Sequence, residues 1–129
     1  MSAVPDDLKY SKSHEWIRRN SDGTVTIGIS DHAQSQLGDL VYVEVPDAGR
    51  VLAAGDVCAV VESVKAASDV YTPLAGTVVT GNDTLEQTPE AVNADPYGAG
   101  WLVQLTPADT AALDSLMSAS DYQAFVEAE

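Results

Sequence analysis

The sequence predicts a mainly β protein, a β-sandwich or flattened barrel with short helices at its edge. Apolar runs are short and valine-rich, turn-forming residues interrupt them every several positions, and helix-like patterning is confined to brief stretches and the C-terminal end. A chain of 129 residues can bury one core and is too short for two, so residues 1–129 are expected to form a single domain.

The elements follow in order. Residues 1–12 are polar and contain Pro5, so the first few are expected to be loose. Residues 15–19 and 24–29 flank Asn20-Ser21-Asp22-Gly23, a turn cluster with a glycine free to take positive φ, and together they predict a hairpin. Asp31 is expected to cap a short helix running to about Leu37, with Gly38 as its stop. Residues 40–45 alternate as a strand and end at Pro46-Asp47-Ala48-Gly49, and Val51-Leu52 reads as a brief strand. Residues 57–61 are apolar on both alternating sets and too few for a helix, so they read as a strand covered on both faces. Gly38-Asp39-Leu40-Val41 and Gly55-Asp56-Val57-Cys58 hint at a weak internal symmetry that chance would also give. Pro73-Leu74-Ala75-Gly76 turns the chain into a strand over residues 77–80. Residues 83–87 suit one helical turn, 88–99 read as irregular, and 101–105 form a closing strand. Thr106-Pro107-Ala108-Asp109 resembles a helix start. Ser120-Asp121-Tyr122-Gln123 has capping-box spacing, which places Tyr122, Phe125 and Val126 on one face of a terminal helix.

These elements are organised around Val60-Val61-Glu62-Ser63-Val64-Lys65-Ala66-Ala67-Ser68-Asp69-Val70-Tyr71, read as strand, tight turn and strand with Lys65 at or beside the tip. The turn lacks the Asn-Gly or Asp-Gly pair of most tight hairpins, which suggests that something other than turn chemistry selected it. Lys65 admits two readings: an idle, solvated turn lysine, or an amine displayed to a modifying enzyme. The basic residues are Lys9, Lys12, Arg18, Arg19, Arg50 and Lys65, so from residue 51 onward Lys65 is the sole cation, set between Glu62 and Asp69. That distribution favours display. A Schiff-base lysine must shed its proton, which needs burial or a neighbouring cation, whereas acidic neighbours hold the ammonium. An amide-linked arm has no such requirement.

The formal net charge of -14 argues against nucleic acid or an anionic membrane as a partner. It suits docking onto basic clefts of other proteins, or solubility alone. Cys58 has no partner for an internal disulfide and reads as an inert core thiol. No apolar stretch has membrane-spanning length, and residues 1–7 resemble neither a signal nor a transit peptide. The expectation is a soluble protein of the bacterial cytoplasm, with a mature organellar form left open. His14 and His32, without a cysteine pair or short ligand spacing, read as structural or cleft-lining rather than metal-binding. Trp16, Tyr42, Tyr71 and Trp101 read as core or rim packing. No nucleophile and base pair or phosphate-binding glycine loop is apparent, so an enzyme acting alone is disfavoured.

Glu62-Ser63-Val64-Lys65-Ala66, followed by Ser68-Asp69-Val70, resembles the lipoylation site of the H proteins of the glycine cleavage system. The resemblance extends through Ser13-His14-Glu15-Trp16, Ile27-Gly28-Ile29 with Asp31-His32-Ala33-Gln34, Gly38-Asp39-Leu40-Val41-Tyr42-Val43-Glu44, and Asn93 with Asp95-Pro96-Tyr97-Gly98 and Gly100-Trp101, nearly the whole chain in order. It implies a lipoyl-type barrel-sandwich hybrid, a non-catalytic monomeric carrier, and lipoate fixed covalently on Lys65. Glu62, Ser63, Val64, Ala66 and Asp69 would be read by a lipoate ligase or a lipoyl/octanoyl transferase. Biotin carriers, the close rival, typically flank the lysine with methionines, where this chain has Val64 and Ala66.

In that family the arm takes an aminomethyl group from the decarboxylase called P protein and presents it to the aminomethyltransferase called T protein. The dihydrolipoyl dehydrogenase called L protein then reoxidises the dithiol. The resemblance assigns Ser13, Glu15, Asp69 and His32 to a cleft for the loaded arm; alone, Glu15 and Asp69 would pass for solvated acids. Tyr97 would rest against that cleft or the hairpin. Ala99 stands where members often carry an acid, which puts a partner contact there in doubt. Two other readings stay open: a lipoyl reservoir serving 2-oxoacid dehydrogenases, and a β interaction module with an idle lysine.

Overall fold

The structure, a computed structural model, describes residues 4–128, so the expected loose start falls partly outside the described residues. The strands are β1 (Lys9–Tyr10), β2 (Glu15–Arg19), β3 (Val25–Ile29), β4 (Leu40–Glu44), β5 (Val51–Leu52), β6 (Val57–Ser63), β7 (Ala67–Tyr71), β8 (Gly76–Gly81) and β9 (Val103–Pro107). The α-helices are α1 (Asp31–Leu37), α2 (Ala91–Ala94) and α3 (Ala119–Glu127), and Asp83–Glu86 and Thr110–Ser115 form 3-10 turns. Every strand pair is antiparallel. One sheet has the order β1-β2-β3-β9-β8-β5 and the other β4-β6-β7.

Alternation decides what each sheet buries. Val25, Ile27 and Ile29 of β3, Val103 and Leu105 of β9, Val43 of β4 and Val61 of β6 meet in one core between the sheets. Covering only one face of the small sheet leaves Tyr42, Glu44, Ala67, Asp69 and Tyr71 exposed, so Tyr42 and Tyr71 are surface rather than packing residues. A second cluster, Leu8, Tyr10, Trp16, Ala119 and Tyr122, ties α3 to β1, with the rings of Tyr10 and Tyr122 stacked at 4.5 Å. Burial of Leu8 and Tyr10 anchors the chain well before residue 12.

The mainly β architecture with short edge helices, including one at the C-terminal end, is as expected. Several boundaries differ. Ser30, not Asp31, caps α1: its Oγ accepts from Ala33 N at 3.2 Å, and Asp31 is the first helical residue. Gly38 stops the helix at φ 85°, a conformation that needs glycine. Pro107 ends β9 rather than starting a helix. Beyond Leu105, β9 pairs with β8 alone, so a missing N–H costs nothing on the side away from it. Asp109 caps the following 3-10 turn by accepting from Ala111 N at 3.0 Å. Ser118 rather than Ser120 caps α3, accepting from Asp121 N at 3.2 Å. Residues 88–99 contain α2, and the closing strand starts at Val103 instead of Trp101. Tyr97 packs on Trp16 with ring centroids 6.0 Å apart, and its hydroxyl accepts from Asp31 N at 2.9 Å.

Candidate functional site

The β6–β7 hairpin turns through Val64, Lys65 and Ala66, all exposed. Its tip is ordered by Ser63, whose hydroxyl accepts from Lys65 N and Ala66 N, both at 3.1 Å, and donates to the Ala66 carbonyl at 3.2 Å. Ser63 N also donates to that carbonyl at 2.8 Å. A buried serine thus supplies the turn chemistry that the missing Asn-Gly pair would have given. Val64 is 77% exposed, an apolar side chain beside the lysine that nothing in the fold requires. Glu62 is half-buried one strand position before Ser63.

Lys65 lies across the end of α1. Its Nζ donates to the Gln36 carbonyl at 3.2 Å, as suits a cation at a helix C-terminus. A Cβ on Gly38 would stand 3.3 Å from Lys65 Cε, so the bare glycine cradles the lysine stem. Asn93 fixes this corner: its amide donates to Gly38 O and Gln34 Oε1, both at 2.9 Å, and its carbonyl oxygen accepts from Leu40 N at 2.9 Å.

Beside that corner is a cleft of about 170 Å³. Ser13, His14 and Glu15 form one wall, Ser68 and Asp69 of β7 another, and Gln36 and Leu37 of α1 the third. The structure therefore brings Ser13, Glu15 and Asp69 together. His32 is not in this lining; its ring lies 5.0 Å from that of His14, which is. Two further depressions are larger: one of about 390 Å³, lined by Glu44, Arg50 and Glu86 among others, is at the far end of β4 and β6 from the tip, and one of about 600 Å³ lies along β5 and β8. Cys58 borders the former but is buried, and burial pushes its thiol up to about 12.

Glu15 is 1% exposed, far from a solvated acid. Its Oε1 accepts from the Ser11 hydroxyl at 2.5 Å and the Ser13 hydroxyl at 2.6 Å, and its Oε2 from Tyr71 N at 3.3 Å on the edge of β7. Burial raises its pKa above the ordinary carboxylate range, and the two serine hydroxyls pull it partly back. A cation entering the cleft would find a desolvated carboxyl there and a second, exposed one on Asp69. Sequence reasoning missed Ser11, whose spacing from Glu15 gives no signal until the turn between β1 and β2 closes. His14 holds φ 73°, the one positive value outside glycine among the described residues. Strain of this kind persists where neighbours over-determine it.

The sequence model described as Glycine cleavage H-protein matches residues 8–129. The chain belongs to the glycine cleavage H-protein family. Glycine cleavage system H proteins of Halorhodospira halophila and Shewanella loihica are 57% and 55% identical over 129 residues, spanning 100% of this chain and 99% and 100% of theirs. The crystal structure of a glycine cleavage system H protein from Mycobacterium marinum matches with a TM-score of 0.87 at 38% identity, covering 96% of this chain and 99% of that one. H proteins are the carrier component of glycine cleavage and hold lipoate on a lysine. Among the described residues, no helix is long and apolar enough to cross a membrane, and no group of three or more His, Cys, Asp or Glu could hold a metal ion.

Proposed function

We propose that Lys65 is the lipoate-bearing lysine, and that the arm carries the aminomethyl group of glycine from P protein to T protein, with L protein reoxidising the dithiol. The observation that carries this reading is the placement of Lys65: exposed on a tip ordered by Ser63, its stem laid over Gly38 toward the cleft that contains Glu15. These residues suit the group. An exposed amine can be acylated, and the space that a Cβ at position 38 would fill leaves room for a long substituent to lie along α1. Lipoate supplies a dithiolane whose sulfur takes up and releases the one-carbon unit.

The protein's own residues do the rest by position. Glu62, Ser63, Val64, Ala66 and Asp69 present the tip to a lipoate ligase or a lipoyl/octanoyl transferase, the exposed Val64 giving an apolar contact between acidic ones. Glu15 and Asp69 hold an ammonium in the cleft, and Ser13 keeps the Glu15 carboxylate oriented. Apolar Leu37 and Ile29 in the lining keep water from the held group. The chain contributes tethering rather than bond-making, since an arm raises the local concentration of its load at each partner without tight binding. Such a carrier acts as a monomer in the bacterial cytoplasm.

Lys65→Arg keeps the charge and removes the acylable amine. With the attaching enzyme, P, T and L proteins and lipoate supplied, the variant is expected to fold as the wild type and give no glycine-dependent carbon dioxide release. Sustained release by the folded variant would refute the assignment.

A further inference from the structure

The C-terminal helix reaches the cleft walls through the hydroxyl of Tyr122. Tyr122 of α3 is fully buried, and its hydroxyl stands 2.7 Å from His14 Nδ1 and 2.7 Å from Ser30 Oγ. His14 lies on one cleft wall between Ser13 and Glu15, in its positive-φ conformation. Ser30 caps α1, which forms another wall, and its N–H donates to the His14 carbonyl at 2.9 Å. One hydroxyl therefore joins the two walls. A phenol has one proton to give and lone pairs to accept with, so it can satisfy both neighbours at once and fix their separation.

We infer that Tyr122 is a positioning residue for the arm cleft: through His14 and Ser30 it holds the Ser13–Glu15 wall and α1 at the spacing that a loaded arm requires. This rests on the reading of the cleft as the arm's seat. The ring of Tyr122 already has a structural task in its stack on Tyr10. The hydroxyl adds nothing to that stack, so its two short contacts point to the cleft. Phe125 at 5.9 Å from the His14 ring shows that α3 packs on the same histidine from a second position.

Tyr122→Phe separates the two tasks, keeping the ring and removing the bridge. In unlipoylated protein, amide hydrogen exchange in the variant is expected to quicken about tenfold at Glu15 and Ala33, the effect of one lost hydrogen bond of ordinary strength, while β6 and β9 keep their protection. Lipoylation of Lys65 should proceed at the wild-type rate, because the tip is untouched. In the absence of T protein, water should cleave the aminomethyl group from the loaded variant several-fold faster than from the wild type, giving formaldehyde and ammonia and leaving the arm's thiol, an effect expected of widened cleft walls. Unchanged exchange at Glu15 and Ala33, or a uniform rise across all strands, would overturn the inference. Glu15→Gln serves as the control. Faster release in Glu15→Gln with wild-type release in Tyr122→Phe overturns the inference alone, whereas equal release in wild type and Glu15→Gln overturns the cleft reading itself.

Discussion

Glu15 shows how one buried carboxyl links stability to chemistry. Its folded pKa is raised above the ordinary 4.5, chiefly by burial. Below that ordinary value the folded and unfolded chains both hold the proton, and the buried site bears no charge. As pH rises through the folded pKa, the site must take a charge that water would have solvated better, so this contribution to stability is lost. Denaturation midpoints of Glu15→Gln should therefore gain on those of the wild type from pH 4.5 upward and level off once the wild-type carboxyl is ionised. A constant difference from pH 4 to 8 would contradict this. The sequence marked Glu15 through family resemblance, yet its residue type alone suggested a solvated acid, because burial depends on Ser11 and Tyr71, neither adjacent in sequence. Lys65 was legible for a physical reason: a half-chain without other cations leaves one conspicuous.

At the scale of elements, strands were easier to read than caps. Period-2 valine runs leave little choice, whereas Ser30 next to Asp31, and Ser118 two residues before Ser120, each offer two competent capping groups. At Ser30 the tie is broken by a tertiary contact, the hydroxyl of Tyr122, which no local pattern contains. Thr106-Pro107 misled for a related reason, since proline suits a helix start and a strand end with one free side equally well. The hairpin tip is where element and function meet. Ser63 accepts from two tip amides and donates to one tip carbonyl, so Ser63→Ala should cost about 1 kcal/mol in stability and loosen the tip, which keeps the Ser63 N–H to Ala66 carbonyl bond. Its lipoylation should be several-fold slower in kcat/KM than that of the wild type, measured with the purified attaching enzyme. Equal rates would show that the enzyme reads the residues without their geometry.

Across the whole molecule, two sheets of unequal size divide the work. The six-stranded sheet closes the core, and the three-stranded sheet ends in the hairpin that extends Lys65 past α1. Its outer face shows Tyr42, Glu44, Asp69 and Tyr71, and the net charge of -14 gives an acidic field around the one exposed amine at its tip. The two-sheet class was legible in the turn spacing, but the cleft was not. It arises where the turn before β2, the edge of β7 and α1 meet, and these are distant in sequence. Peptide mass mapping of protein isolated from lipoate-replete cells reads out whether Lys65 bears the arm. A lipoyl adduct on the peptide containing Lys65, absent from Lys65→Arg, is the expected result. Lipoate on Lys9 or Lys12 with an unmodified Lys65 would contradict the account.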